Sequence, residues 1–119
     1  MMFEPQIISH QGKQILRADY TGIGRDVLPA AFARVGEVVA SSPLRSVRLL
    51  AILNTTMGKE LASSLKRLSA NNAPHVLAVA VVGTSFWKVV VANIQAQADG
   101  RVIKLFDDEG AAKDWLATI

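Results

Sequence analysis

Apolar and polar positions along the chain alternate between two periods. The strongest signal is the unbroken apolar run Val76 to Val82, reading VLAVAVV. It is rich in β-branched residues and far too short to span a bilayer, which fits a strand buried on both faces at the centre of a parallel sheet. Gly83 ends it. Thr84 or Ser85 can then cap a helix that carries Trp87, Val90, Val91 and Ile94 along one stripe and closes near Asp99-Gly100, with Gly100 as its left-handed cap.

The remaining elements fall around this unit. Phe3 to His10 reads as a first strand, and Gln11-Gly12 turns it into a second over Lys13 to Tyr20. The polar Arg17 and Asp19 set that second strand near an edge or beneath incomplete helical cover. Thr21 to Gly24 is a loop, Asp26 is placed to cap a helix, and Pro29 falls in its first turn. Val27, Ala31, Val35 and Val38 form one stripe of this helix, with Leu28, Phe32 and Val39 beside it; Ser41-Ser42-Pro43 stops it. Ser46 to Asn54 is a third strand, apolar except for Arg48. A second helix is expected over 58–69, with Leu61, Leu65 and Leu68 inward and Lys59, Lys66 and Arg67 toward water. Val102 to Phe106 is a fifth strand. Asp107 or Asp108 then caps a last short helix that turns Ala112, Trp115, Leu116 and Ile119 inward.

The order β-β-α-β-α-β-α-β-α requires crossovers and a mostly parallel five-stranded sheet, with helices packed on it and one antiparallel N-terminal strand. A length of 119 residues fits one α/β domain, residues 1–119. With half the residues hydrophobic and 19% charged, the composition is that of a folded core rather than a disordered chain. The absence of cysteine removes thiol catalysis, zinc–thiolate sites and disulfides. The opening MMFEPQIISH lacks the form of a signal peptide, and no run approaches a membrane span, so a cytoplasmic protein is expected. The net charge of +3 is spread from Lys13 to Lys113, with only Lys66-Arg67 adjacent, which argues against nucleic-acid binding.

Three segments carry a resemblance. Ala80 to Lys88, AVVGTSFWK, is similar to the AVVG segment followed by Trp and Lys in the SpoIIAA-like family, a branch of the STAS/SEC14-like superfamily. Phe106 to Leu116, FDDEGAAKDWL, resembles the family's terminal segment, and Gly12 to Gly22, GKQILRADYTG, its second strand. The resemblance spans nearly the whole chain and implies a non-enzymatic role with no cofactor. STAS relatives bind a regulatory protein partner and respond to phosphorylation of a hydroxyl at a helix start, whereas SEC14 relatives hold a lipid-like apolar small molecule in a cleft. The Asp-Ser-Ser-Gly segment of the anti-sigma antagonists is absent here; the corresponding loop reads Asn54-Thr55-Thr56-Met57-Gly58.

Candidate sites follow from the loops at strand ends. Thr55 and Thr56 are the regulatory hydroxyl candidates. A phosphate there would meet free backbone N–H groups and a positive helix end, with Lys59 nearby; the plainer role for Thr56 is an N-cap. Asn54, Gly83, Thr84, Ser85, Trp87 and Lys88 form the ligand- or partner-binding candidates, because ligands of open α/β sheets sit beyond the carboxyl ends of strands. Thr84 and Ser85 are at least as well suited to capping, and the core is the plainer role for Trp87. Gly22-Ile23-Gly24 is not a dinucleotide fingerprint: Val27 stands at the third glycine position and no acidic residue lies about 20 positions on. His10 and His75 suggest no metal set, and the acidic Asp107 to Glu109 suit a helix start without chemistry. No serine lies in a Gly-x-Ser-x-Gly turn. Oligomeric state is open, with a homodimer among the alternatives.

Overall fold

The computed structural model describes residues 4–24, 26–53, 73–83 and 102–119. Within them the chain forms β1 (Gln6–His10), β2 (Lys13–Asp19), α1 (Leu28–Ala40), β3 (Val47–Leu53), a short 3₁₀ turn (Ala73–His75), β4 (Val76–Gly83), β5 (Val102–Phe106) and α2 (Glu109–Ala117). The helices expected over 58–69 and from 84 to 98, with the Gly100 cap, lie outside the described residues, as does Phe3.

The five strands form one sheet in chain order, β1-β2-β3-β4-β5. β1 is antiparallel to β2, and every later neighbour is parallel. The apolar run that reads as an interior strand is β4, with β3 on one side and β5 on the other. Its alternating side chains feed two separate cores. Val76, Val79 and Val81 join Leu16, Ala18, Ala51, Leu53 and Ile103 beneath α1. Ala78, Ala80 and Val82 join Ile15, Leu50 and Ile52 beneath α2. A strand with water on neither face must be apolar at every position, which accounts for the unbroken run.

The hairpin turn is tight. Gln11 (φ 51°) and Gly12 (φ 80°) both adopt left-handed backbone, as the two-residue turn that matches strand twist requires. α1 presents Leu28, Ala31, Phe32, Val35 and Val39 to the sheet, and the Phe32 ring meets Tyr20 edge-on at 4.8 Å between centroids. Two details differ from the sequence expectation. Asp26 does not cap α1: the helix starts at Leu28 after Val27, with no side-chain cap, and the Val27 and Leu28 N–H groups both donate to the Gly24 carbonyl. Backbone closure has taken over the role of the cap, and Val27, one residue outside the helix, is exposed instead of joining the buried stripe. At the other end Ser41 Oγ and Ser42 Oγ donate to the Glu37 and Val38 carbonyls, terminating the helix where the serines stand.

α2 is capped as its sequence suggests, with Asp108 Oδ1 accepting from the Gly110 N–H at 2.8 Å. Ala112 and Leu116 are fully buried, and Trp115 lies against Phe106 with ring centroids 5.5 Å apart. Among the described residues no helix is long and apolar enough to cross a membrane.

Stability should follow this division. Leu116→Ala should cost about 2–5 kcal/mol in chemical denaturation, since it opens a void under α2. Asp108→Ala should cost about 1 kcal/mol through the lost cap. Ile7→Ala, at a position 68% exposed, should stay within about 0.5 kcal/mol of the parent.

Candidate functional site

Parallel pairing places the carboxyl ends of successive strands on one rim. Leu53 pairs with Gly83 across β3 and β4, and Val82 with Phe106 across β4 and β5. The segments that follow Leu53 and Gly83 therefore depart from adjacent points. Of the candidates, Gly83 is described and closes β4 at this rim, half-buried. Asn54, Thr55, Thr56, Thr84, Ser85, Trp87 and Lys88 lie outside the described residues. Beside the rim, Tyr20 follows the end of β2 and donates its backbone N–H to the Ile52 carbonyl at 3.0 Å. Its side chain is buried under α1, and burial pushes the phenol well above its ordinary pKa.

A charged network flanks the same rim on the α2 side. Arg17 and Asp19 pair in register with Leu50 and Ile52, the strand positions that face α2. From there the Arg17 guanidinium grips Glu109 with two hydrogen bonds, Nε to Oε2 at 2.9 Å and Nη2 to Oε1 at 3.1 Å. Its Nη2 also reaches Asp19 at 3.3 Å, and Lys113 Nζ lies 3.4 Å from Glu109. Asp19 Oδ1 accepts from the Thr21 N–H, fixing the turn that leaves β2. Hydrogen bonding from Arg17 holds the Glu109 carboxyl below its ordinary value, against a smaller opposing effect of desolvation. The donors of Arg17 are directed at carboxylates of its own chain, so this cluster anchors a helix to a strand. Composition does not reveal it: Glu109 and Lys113 have the spacing of a helical pair, but the 92-residue contact from Arg17 to Glu109 is set only by the fold.

The two histidines have structural partners. His10 Nε2 lies 2.7 Å from Asp114 Oδ1, which also accepts from Gln11 Nε2, tying the hairpin turn to α2. His75 Nδ1 lies 2.8 Å from the Ser42 carbonyl oxygen and so donates to it, joining the turn before β4 to the end of α1. No group of His, Asp and Glu residues able to hold a metal occurs among the described residues. Arg48, the exception in the third strand, donates from Nη2 to the Ile119 carbonyl at 3.1 Å, so it closes on the far end of α2.

At the opposite end of the sheet, an open groove of about 290 Å³ runs past Ile7, Leu16, Val38, Pro43 and Val47. These residues stand near the amino ends of β2 and β3 and the carboxyl end of α1, so the groove does not belong to the rim.

No protein-family model matches the chain, and no curated protein matches it. Among solved structures, the crystal structure of an uncharacterized protein of the DUF3478 family from Shewanella loihica PV-4, with a SpoIIAA-like fold, matches with a TM-score of 0.71. The match covers 97% of this chain and 94% of that one at 16% identity. The SpoIIAA-like fold expected from the sequence is therefore the fold of this chain.

The Glu109 network has a defined pH response. The Glu109 pKa is lowered in the folded state, so its contribution is complete above the ordinary carboxylate value of 4.5 and is lost as pH falls through the depressed folded-state value. Glu109→Gln should lower the urea midpoint near neutral pH, and the gap from the parent should shrink as the medium is acidified. A gap that stays constant through the acid range would show that the ion pair contributes nothing.

Proposed function

We propose that this chain is a non-enzymatic regulatory domain that meets a protein partner through its strand-end loops, residues 54–58 and 83–88. The observation that supports the reading most directly is the pairing of Leu53 with Gly83, from which both loops start side by side. The SpoIIAA-like fold supports it in general terms, as that fold is associated with STAS-type regulation. Thr55 or Thr56 acts as the switch. A phosphate on either adds about −1.5 to −2 charges at neutral pH, and a strand-to-helix turn is where backbone N–H groups and a helix dipole receive an anion. Asn54, Gly83, Thr84, Ser85, Trp87 and Lys88 are the residues assigned to the contact.

The carrier reading is not favoured. Both faces of the sheet are filled by packed side chains over the described strands, and the described groove is open and lies at the other end from the candidate loops.

The test is affinity capture from the source cell using the parent chain and the paired changes Thr55→Ala/Thr56→Ala and Thr55→Glu/Thr56→Glu. A partner held by one pair and released by the other is expected, with a change of about tenfold or more for a coupling of ordinary size. Equal capture of every partner by all three proteins would rule out the switch. Loss of the same partner on Lys88→Glu would assign the second loop to the contact.

A further inference from the structure

Of the two edges of the sheet, the outer side of β1 is the less defended. A sheet edge exposes unpaired N–H and C=O groups, and proteins ordinarily blunt it with charge, proline, a bulge or a covering element. The other edge strand, β5, carries the exposed Lys104 at its middle. β1 reads Gln-Ile-Ile-Ser-His, with no proline, lysine or acidic residue in it. Among the described residues no strand pairs with its outer side, and Ile7 stands 68% exposed at the mouth of the groove.

The hairpin determines which backbone groups face outward. In a two-residue turn of this type, the flanking pair His10–Lys13 exchanges both hydrogen bonds, and bonded pairs then alternate along the ladder. Ile8–Ile15 and Gln6–Arg17 are the next bonded pairs; Ile7–Leu16 and Ser9–Gln14 are the intervening ones. The N–H and C=O groups of Ile7 and Ser9 consequently point away from β2.

We propose that this edge is the interface for a second copy of the chain, with β1 pairing antiparallel to its counterpart about a two-fold axis at Ile8. In that register Ile7 opposes Ser9 of the partner subunit, and both outward donors and both outward acceptors of each copy are satisfied. Shifting the axis to Ile7 would set Ser9 against a proline with no N–H, leaving the Ser9 carbonyl unmatched. The chosen register brings the two Ile8 side chains together on the α2 face, sets Gln6 against a histidine and places no like charges opposite one another. It is isologous and closes, as a dimer contact must, and it joins two five-stranded sheets into one. This surface lies apart from the strand-end loops, so it stands or falls independently of the function proposed above.

The test uses the full chain by sedimentation velocity or light scattering over a concentration series. The parent is expected to dimerise, and Ile7→Lys, which sets a charge beside the partner strand, to weaken the dimer. Ser9→Pro removes an outward N–H without touching the bonds to β2, and should weaken it by roughly tenfold or more. Because the chain has no cysteine, Ile8→Cys gives a clean geometric readout. Residues at the axis lie about 4.5 Å apart between Cα atoms in a non-bonded antiparallel pair, within disulfide range, so a covalent dimer should form on mild oxidation. A parent that stays monomeric at high micromolar concentration overturns the proposal. So does a dimer indifferent to Ser9→Pro, or one whose Ile8→Cys variant does not cross-link while its circular dichroism matches the parent.

Discussion

β4 must bury both of its faces and pair both of its edges, and the rest of the architecture answers that requirement. Its backbone polar groups have no water to turn to, so strands must lie on both sides. Parallel neighbours cannot be reached by a hairpin, so each connection crosses over, and crossovers bring helices onto the faces. The two faces are served by different side chains. Val79 and Val81 fill the side under α1, while Ala78 and Ala80 present small surfaces toward α2, where the buried partners are Ala112 and Leu116. The same parallel alignment returns every interior strand to one rim, which is why β3 and β4 end side by side.

Among the described residues α2 is the helix packed on this face, and polar strand residues stand around it. Arg17 and Asp19 of β2 and Arg48 of β3 are half-buried there. There Arg17 and Asp19 can keep their charged ends near water while their stems lie on the sheet, whereas Arg48 has its Nε buried and turns Nη2 to the Ile119 carbonyl. Arg17 reaches Glu109 in the first turn of α2, and Arg48 reaches the Ile119 carbonyl beyond its last. An acidic residue at the helix start and a cation at its carbonyl end both agree with the helix dipole. His10 and Gln11 add a lateral tie through Asp114. The helix is thus clipped at both ends and along one side by the strands beneath it.

Much of this was readable from local pattern. β4, β5 and α2 fall where local pattern and caps predict, because each signal resides within the element itself: an apolar run closed by glycine, a short apolar stretch with one charged residue, an aspartate before a helical stripe. The order of strands in the sheet was legible only as far as alternation implies parallel crossovers. The Asp26 cap expected at the start of α1 does not form, since a side-chain cap competes with backbone turns and the Gly24 carbonyl accepts from both the Val27 and Leu28 N–H groups. The partners of Arg17, Arg48 and His10 were not legible, as they depend on which strand lies under which helix end. Of the candidate site, one position, Gly83, can be compared directly, and it stands on the expected rim.

The rim and the β1 edge are separated by the topology itself. β1 lies at one border of the sheet, and β2 intervenes before β3, the first strand whose end contributes a candidate loop. Pairing through β1 would extend the sheet laterally and cover neither Leu53 nor Gly83. It would also leave α2 anchored, because the bonds from Arg17, Arg48 and His10 do not use the outward groups of Ile7 and Ser9. A dimer built this way presents two rims, one per copy, and a partner engaging both would gain from the second contact being intramolecular. The edge would then set valency and the rim recognition, with one β-rich frame serving both.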